Sequence, residues 1–277
     1  MNPASNTWPA ILYGTAWKKD ASAALTRQAI TAGYRAIDTA NQPQHYSETG
    51  VGEGITAAMN ELGLERGDLF LQTKFTPLDG HGSEIPYDPQ APIGEQVEQS
   101  LQASLEHLNT DYLDSYLLHG PYHPRRMSEA DWEAWSALET IQERGTALRI
   151  GISNIAAGHL YDLLSGATVP PMTVQNRCFA RSGWDRNVRE VCAKHDIAYQ
   201  GFSLLTANPF MLKDATVLEL AGTHDATPEQ IVFAFARQVG MIPLTGTTDA
   251  QHMTDDLEAL AIRLDADAAA TIEQIAG

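Results

Sequence analysis

Four side chains in the first half of the sequence could carry proton chemistry: Asp38, Tyr46, Lys74 and His119. Asp38 closes the run YRAID, Lys74 closes LFLQTK, His119 closes LDSYLLH, and Ser153-Asn154 stand at the end of LRIGIS. A carboxylate, an amine and an imidazole at neighbouring strand ends are the equipment for general acid–base work on a polar bond. Tyr46 follows Asp38 by eight positions, in a stretch able to fold back over those ends. Each residue also has a plain explanation. Asp38 before Thr39 suits a helix N-cap, and Lys74 suits a solvated strand end. His119 before Gly120-Pro121 suits a bond to a backbone carbonyl, and Tyr46 alone says nothing. None of these accounts for reactive groups recurring at successive run ends.

The runs themselves define the elements that must hold these groups. They cover residues 34–38, 69–74, 113–119, 148–153, 172–176, 197–203 and 241–245, with a weaker eighth at 259–264. They are continuously apolar rather than alternating, as expected of parallel strands buried on both faces. Helical patterns lie between them. Val97, Leu101, Leu105 and Leu108 form one stripe over 96–108. Thr227-Pro228-Glu229-Gln230 reads as an N-cap, a first-turn proline and an N3 glutamine opening IVFAFARQ. GVGEG at 50–54 follows a loop and lacks the G-x-G-x-x-G spacing of a dinucleotide fingerprint, so it reads as helix-entry glycine. Strands alternating with helices predict an α/β fold, and eight units in 277 residues predict one closed (β/α)8 TIM barrel domain over residues 1–277. In such a barrel reactive groups belong at the C-terminal strand ends.

Composition narrows the partners. Eighteen Lys and Arg against 35 Asp and Glu give a net charge of −17, which disfavours nucleic acid and anionic membranes and sits awkwardly with phosphate-bearing ligands. Hydrophobic residues at 43% are enough for a buried core. No apolar run approaches the ~20 residues of a membrane span. No basic residue precedes Lys18, so no targeting peptide is expected. The two cysteines, Cys178 and Cys192, form no CxxC, which fits a reduced, cytoplasmic compartment. His119 and His123 share their segment with Gly120, Pro121 and Pro124, which cannot hold a helical zinc pair, so no metal is expected.

The segments DTA at 38–40, YSETGVG at 46–52, LFLQTK at 69–74, DYLDSYLLHGP at 111–121, IGISN at 150–154 and VQN at 174–176 together resemble the aldo-keto reductase superfamily. The match runs in order from Gly14-Thr15-Ala16-Trp17 to about Asp256. The resemblance implies a barrel that binds NADPH across its mouth, reduces small aldehydes or ketones, and works as a monomer. It implies Tyr46 as the general acid, with an ammonium at Lys74 lowering the phenol pKa from about 10 and Asp38 holding that amine charged. His119 would orient the carbonyl. Ser153, Asn154 and Gln175 would hold the nicotinamide carboxamide, and Phe202 would stack on its ring. Ser203, Leu205 and the loop to Ala207, with Lys213 nearby, would meet the phosphates. Thr245, Gly246, Thr247, His252 and Asp256 fall in the remaining cofactor segment.

Three departures from the family pattern stand out. The interval from Asp38 to Tyr46 is longer than the family commonly has, so NQPQH must bulge outward, with His45 as the alternative donor. Gly120 stands where many relatives place a tryptophan, which should open the substrate pocket. Trp17, Phe75 and Tyr122 are then the expected pocket walls, and the proline-rich loop 76–92 a lid. The usual IPKS reads Ile242-Pro243-Leu244-Thr245, without the lysine that would meet a 2′-phosphate. That phosphate would have to rest on Thr245, Thr247, Thr248, the amides of 246–248 and His252, so NADH is admitted beside NADPH. Two other functions compete: a Lys74 Schiff-base aldolase or lyase, and a non-catalytic nucleotide-binding regulatory subunit.

Overall fold

Parallel strands apolar on both faces must be covered or closed, and here they close. The computed structural model describes residues 7–275. Its strands are β1 (Leu12–Gly14), β2 (Ala36–Asp38), β3 (Phe70–Phe75), β4 (Ser115–Leu118), β5 (Ile150–Ser153), β6 (Thr173–Arg177), β7 (Ala198–Phe202) and β8 (Met241–Thr245). Each pairs in parallel with its neighbours in sequence, and β1 pairs with β8 to close the barrel. The connecting helices are α1 (Ser22–Ala32), α2 (Glu48–Leu62), α3 (Ile93–Leu108), α4 (Glu129–Glu143), α5 (Ala157–Gly166), α6 (Arg186–Lys194), α7 (Ala215–His224) and α8 (Pro228–Gln238). After β8 come α9 (Ala250–Glu258) and α10 (Ala266–Gln274). Among the described residues no helix is long and apolar enough to cross a membrane.

One element differs from the sequence expectation. Residues 259–264 are not a strand: Ala259–Ala261 is a 3-10 turn continuing from α9, with Ala259 and Leu264 buried in the helical layer. The remaining strand is β1, whose Tyr13 pairs with Ile37 on β2 and Thr245 on β8. Three residues give too short an apolar run to signal a strand, whereas 259–264 is apolar because it packs between helices.

Local chemistry explains the helix starts. Ser47 Oγ accepts from the Gly50 amide at the head of α2. Thr227 and Gln230 make the reciprocal capping pair of α8, at 3.2 and 2.9 Å. The GVGEG glycines prove to be contact residues within α2. A Cβ at Gly52 would lie 2.1 Å from the His107 carbonyl oxygen, and one at Gly54 would lie 2.4 Å from that of Ala23. Only glycine lets α2 approach α1 and α3 so closely.

Candidate active site

Side chains alternate along a strand, so on β3 Gln72 and Lys74 point into the barrel while Thr73 and Phe75 point out to the helices. Thr73 accordingly bonds Glu48 of α2, and Lys74 reaches Asp38 at the end of β2. Lys74 Nζ donates to Asp38 Oδ1 and Oδ2 at 2.7 and 2.8 Å and to the Thr39 carbonyl at 2.7 Å. All three ammonium protons are thereby used. Lys74 is 1% exposed and Asp38 3%. Burial holds the Lys74 pKa below its ordinary value, against the opposing pull of Asp38. Asp38 is neither a helix cap nor a solvent-facing acid. Its Oδ1 also accepts from Gln72 Nε2 at 2.7 Å and Gln175 Nε2 at 3.0 Å. Both amides bond Gln200 Oε1 in turn, at 2.8 and 2.9 Å. Gln72 and Gln200 were not singled out in the sequence. Strand parity reveals them, since each lies two positions before a residue, Lys74 or Phe202, that was.

Over this pair lies Tyr46. The extra residues of NQPQH wind into a turn, with the Gln42 carbonyl accepting from the His45 and Tyr46 amides at 2.9 and 3.0 Å. Tyr46 is thereby brought in above Lys74, whose Nζ is 5.7 Å from the ring centroid. His45 packs on Trp17 with centroids 4.0 Å apart, and its Nδ1 faces Gln42 Oε1 at 2.9 Å. The Tyr46 ring meets His119 edge-on at 6.0 Å. Burial pushes the Tyr46 phenol well above its ordinary pKa, and the Asp38 carboxylate pushes it further. The expected lowering by Lys74 is outweighed here by burial and by the Asp38 carboxylate, which both act upward. Burial, then the Lys74 charge, holds His119 well below the ordinary imidazole value, so it is neutral. Its Nδ1 lies 2.7 Å from Thr76 Oγ1, a partner the sequence reading missed.

These groups open on a cavity of about 780 Å³. Trp17, Tyr46, His119, Ser153, Asn154, Gln175, Arg177 and Phe202 line it. So do Ser203, Leu205, Thr245, Gly246 and Thr247, together with Glu229 of α8 and His252, Asp255 and Asp256 of α9. Asn154 adopts a left-handed φ of 58°, and its Nδ2 donates to the His119 carbonyl at 2.8 Å. Ser153 Oγ donates to the Gln175 carbonyl at 2.7 Å. Ser203 is also left-handed, at φ 57°. The amides of Leu204, Leu205 and Thr206 just beyond it make no hydrogen bond among the described residues. They are free donors for anionic groups. Lys18, also missed in the sequence, donates from Nζ to the Gly246 carbonyl. Thr245 Oγ1 donates to Asp256 Oδ2 at 2.7 Å, and burial pushes the Asp256 pKa up to about 6.

Three expected pocket walls are placed elsewhere. Phe75 is fully buried on the outward face of β3, packed on Tyr87 at 5.4 Å, because the strand parity that turns Lys74 in turns Phe75 out. Tyr122 does not line the cavity, and its amide donates to Asp131 Oδ1 at 2.7 Å. Gly120 stands beside Asn154, off the cavity lining. Loop 76–92 flanks the mouth without lining it. It is tied down by Tyr87 Oη and His81 Nε2 on the Thr76 carbonyl, at 2.8 and 3.0 Å, and by Gln42 on Gly80.

Comparison with known proteins decides the family. The model described as "Aldo/keto reductase family" matches residues 7–276. The chain belongs to the aldo/keto reductase family. An aldo-keto reductase of Mycolicibacterium vanbaalenii is 30% identical over 271 residues, covering 97% of this chain and 88% of that protein. A protein named NADH-dependent D-xylose reductase from Candida parapsilosis is 28% identical, covering 91% and 88%. The crystal structure of an aldo/keto reductase from Brucella melitensis is similar with a TM-score of 0.81 and 26% identity, over 98% of this chain and 96% of that one. This aldo/keto reductase is an NAD(P)H-dependent oxidoreductase. Its residues suit such a cofactor: an aromatic ring at Phe202, free backbone amides beyond Ser203, and one cavity lined by these residues together with Tyr46 and His119.

Proposed function

We propose that this enzyme reduces aldehydes or ketones to alcohols, with Tyr46 giving the proton to the carbonyl oxygen. The carrying observation is the geometry: Tyr46 lines the cavity edge-on to His119 at 6.0 Å and above the buried Lys74–Asp38 pair. A nicotinamide, when bound, supplies the hydride to the carbonyl carbon. Ser153, Asn154, Gln175 and Phe202 would hold its ring end. Ser203, Leu205, Gly246, Thr245, Thr247, His252 and Asp256 would hold the rest. The sequence resemblance implies NADPH, with NADH as the second option.

The proton leaves Tyr46 Oη as negative charge develops on the substrate oxygen. With the imidazole proton on Nε2, Nδ1 accepts from Thr76 Oγ1 and Nε2–H is left to bond that oxygen. Neutral His119 thus polarises the carbonyl without competing as the proton donor. Lys74 faces the phenolate left behind, and Asp38 together with the Gln72–Gln175–Gln200 amides keeps that amine in place. A Schiff-base role for Lys74 has no support, since its amine is 1% exposed and fully hydrogen-bonded.

The relative named as a D-xylose reductase supports a hydroxylated aldehyde among the test substrates. The test is loss of nicotinamide absorbance with a panel of aldehydes, ketones and dicarbonyls. Tyr46→Phe should lower kcat at least about a hundredfold. An unchanged rate in that variant overturns the mechanism.

A further inference from the structure

We infer that the part of the cavity lined by β8, α8 and α9 is built to accept a ribose 2′-hydroxyl and to repel a 2′-phosphate, making NADH the dinucleotide this enzyme holds. The inference rests on the proposed function and sharpens it.

Tyr46 and His119 fix where the reacting ring sits, which leaves the lining residues of β8, α8 and α9, namely Thr245, Glu229, His252, Asp255 and Asp256, for the adenosine half. This part of the lining carries three carboxylates and one imidazole. Asp256 is 4% exposed. Its Oδ2 accepts from the Thr245 hydroxyl at 2.7 Å, while Oδ1 makes no hydrogen bond among the described residues. Asp256 lines the cavity, so that oxygen is available to accept from a bound group. A sugar hydroxyl is a donor, and a phosphate dianion is not.

Two of the groups that could otherwise receive a phosphate, the Thr245 hydroxyl and the amides at the head of α9, are already engaged. The Thr245 hydroxyl donates to Asp256. The N-terminus of α9 would be an anion site, but Asp249 caps it, accepting from the Gln251 and His252 amides at 2.8 and 3.1 Å. Asp249's own amide donates to Thr247 Oγ1 at 3.2 Å. The anion position at this helix end is thus filled by a carboxylate of the chain itself. Neighbouring cations are turned elsewhere: Lys18 is 8% exposed with its Nζ on the Gly246 carbonyl. Arg177 pairs in register with Phe202 and lies over the Phe179 ring at 5.4 Å. A dianion entering here meets Asp255, Asp256 and Glu229 with only His252 to answer them.

The test is direct binding of NAD+ and NADP+ by calorimetry near neutral pH and low salt, on the wild type and on Asp256→Asn. The substitution removes charge and keeps an oxygen to accept from Thr245. The wild type should bind NAD+ at least about tenfold more tightly, a difference of about 1.4 kcal/mol. Asp256→Asn should narrow that ratio about fivefold or more, by removing one like charge. Asp255→Asn should narrow it in the same direction, and serves if Asp256→Asn fails to fold. Equal or tighter binding of NADP+ by the wild type overturns the inference, as does an unchanged ratio in the folded variants. Binding of neither dinucleotide overturns the proposed function itself, and the inference with it.

Discussion

Asp38→Asn tests the buried pair at the centre of the site. The substitution keeps the shape and the acceptor at Oδ1 but leaves the Lys74 ammonium, 1% exposed, without a counter-charge. Breaking one side of a buried ion pair costs roughly 3–5 kcal/mol. At roughly 2–4 °C per kcal/mol for a chain of this size class, the melting temperature should fall on the order of 10 °C near neutral pH. Burial already lowers the Lys74 pKa against the pull of Asp38, so removing Asp38 lowers it further. A lysine with a depressed folded pKa destabilises wherever the unfolded amine is still charged. The deficit should therefore shrink as pH approaches about 10, where the unfolded amine also loses its proton. Lys74→Met alone leaves the carboxylate unpaired, but Asp38→Asn with Lys74→Met buries no charge and should recover much of either loss. The assay is calorimetric melting of all four proteins at neutral pH and about pH 10. A loss below about 1 kcal/mol for Asp38→Asn, or strictly additive losses in the double variant, would refute the coupled buried pair.

Further tests address the remaining parts of the site. Asp256, pushed to about 6 by burial, is penalised when ionised, so the penalty is present above about pH 6 and gone below its unfolded value. Asp256→Asn should therefore stabilise the fold above pH 7 by up to roughly 3 kcal/mol, seen as a higher melting temperature, and not near pH 4; the same gain at both would contradict this. Thr76→Val removes the partner of His119 Nδ1, so kcat should fall about tenfold with KM less affected, and Thr76→Ser should restore it. Loss of activity in both variants alike would point to the loop and not to the imidazole. Gly120→Trp has room to be built, since a Cβ there meets nothing nearer than Asn154 Cβ at 3.9 Å. It should lower kcat/KM for bulky carbonyls more than for small ones, and equal effects would remove Gly120 from substrate selection.

The placement of Asp38, Lys74, His119 and Ser153-Asn154 at the C-terminal strand ends was legible because continuous apolar runs mark parallel strands wherever they are long enough. The same pattern passed over β1, only three residues long, and misread 259–264, whose apolar character serves helix packing. Parity along β3 could have shown that Phe75 cannot share a face with Lys74. What the sequence determined by itself was the set of elements, their order and the residues at the barrel mouth, because these follow from periodicity and chain order. Tertiary structure alone decided the rest: that Asp38, Gln72, Lys74, Gln175 and Gln200 from four strands share one hydrogen-bond network, and that the Thr245 hydroxyl donates to Asp256. Those contacts join residues distant in the chain, and the packing around Tyr46 and His119 pushes the phenol's pKa up and the imidazole's down. No local pattern encodes a distance across a closed barrel or the water excluded from it.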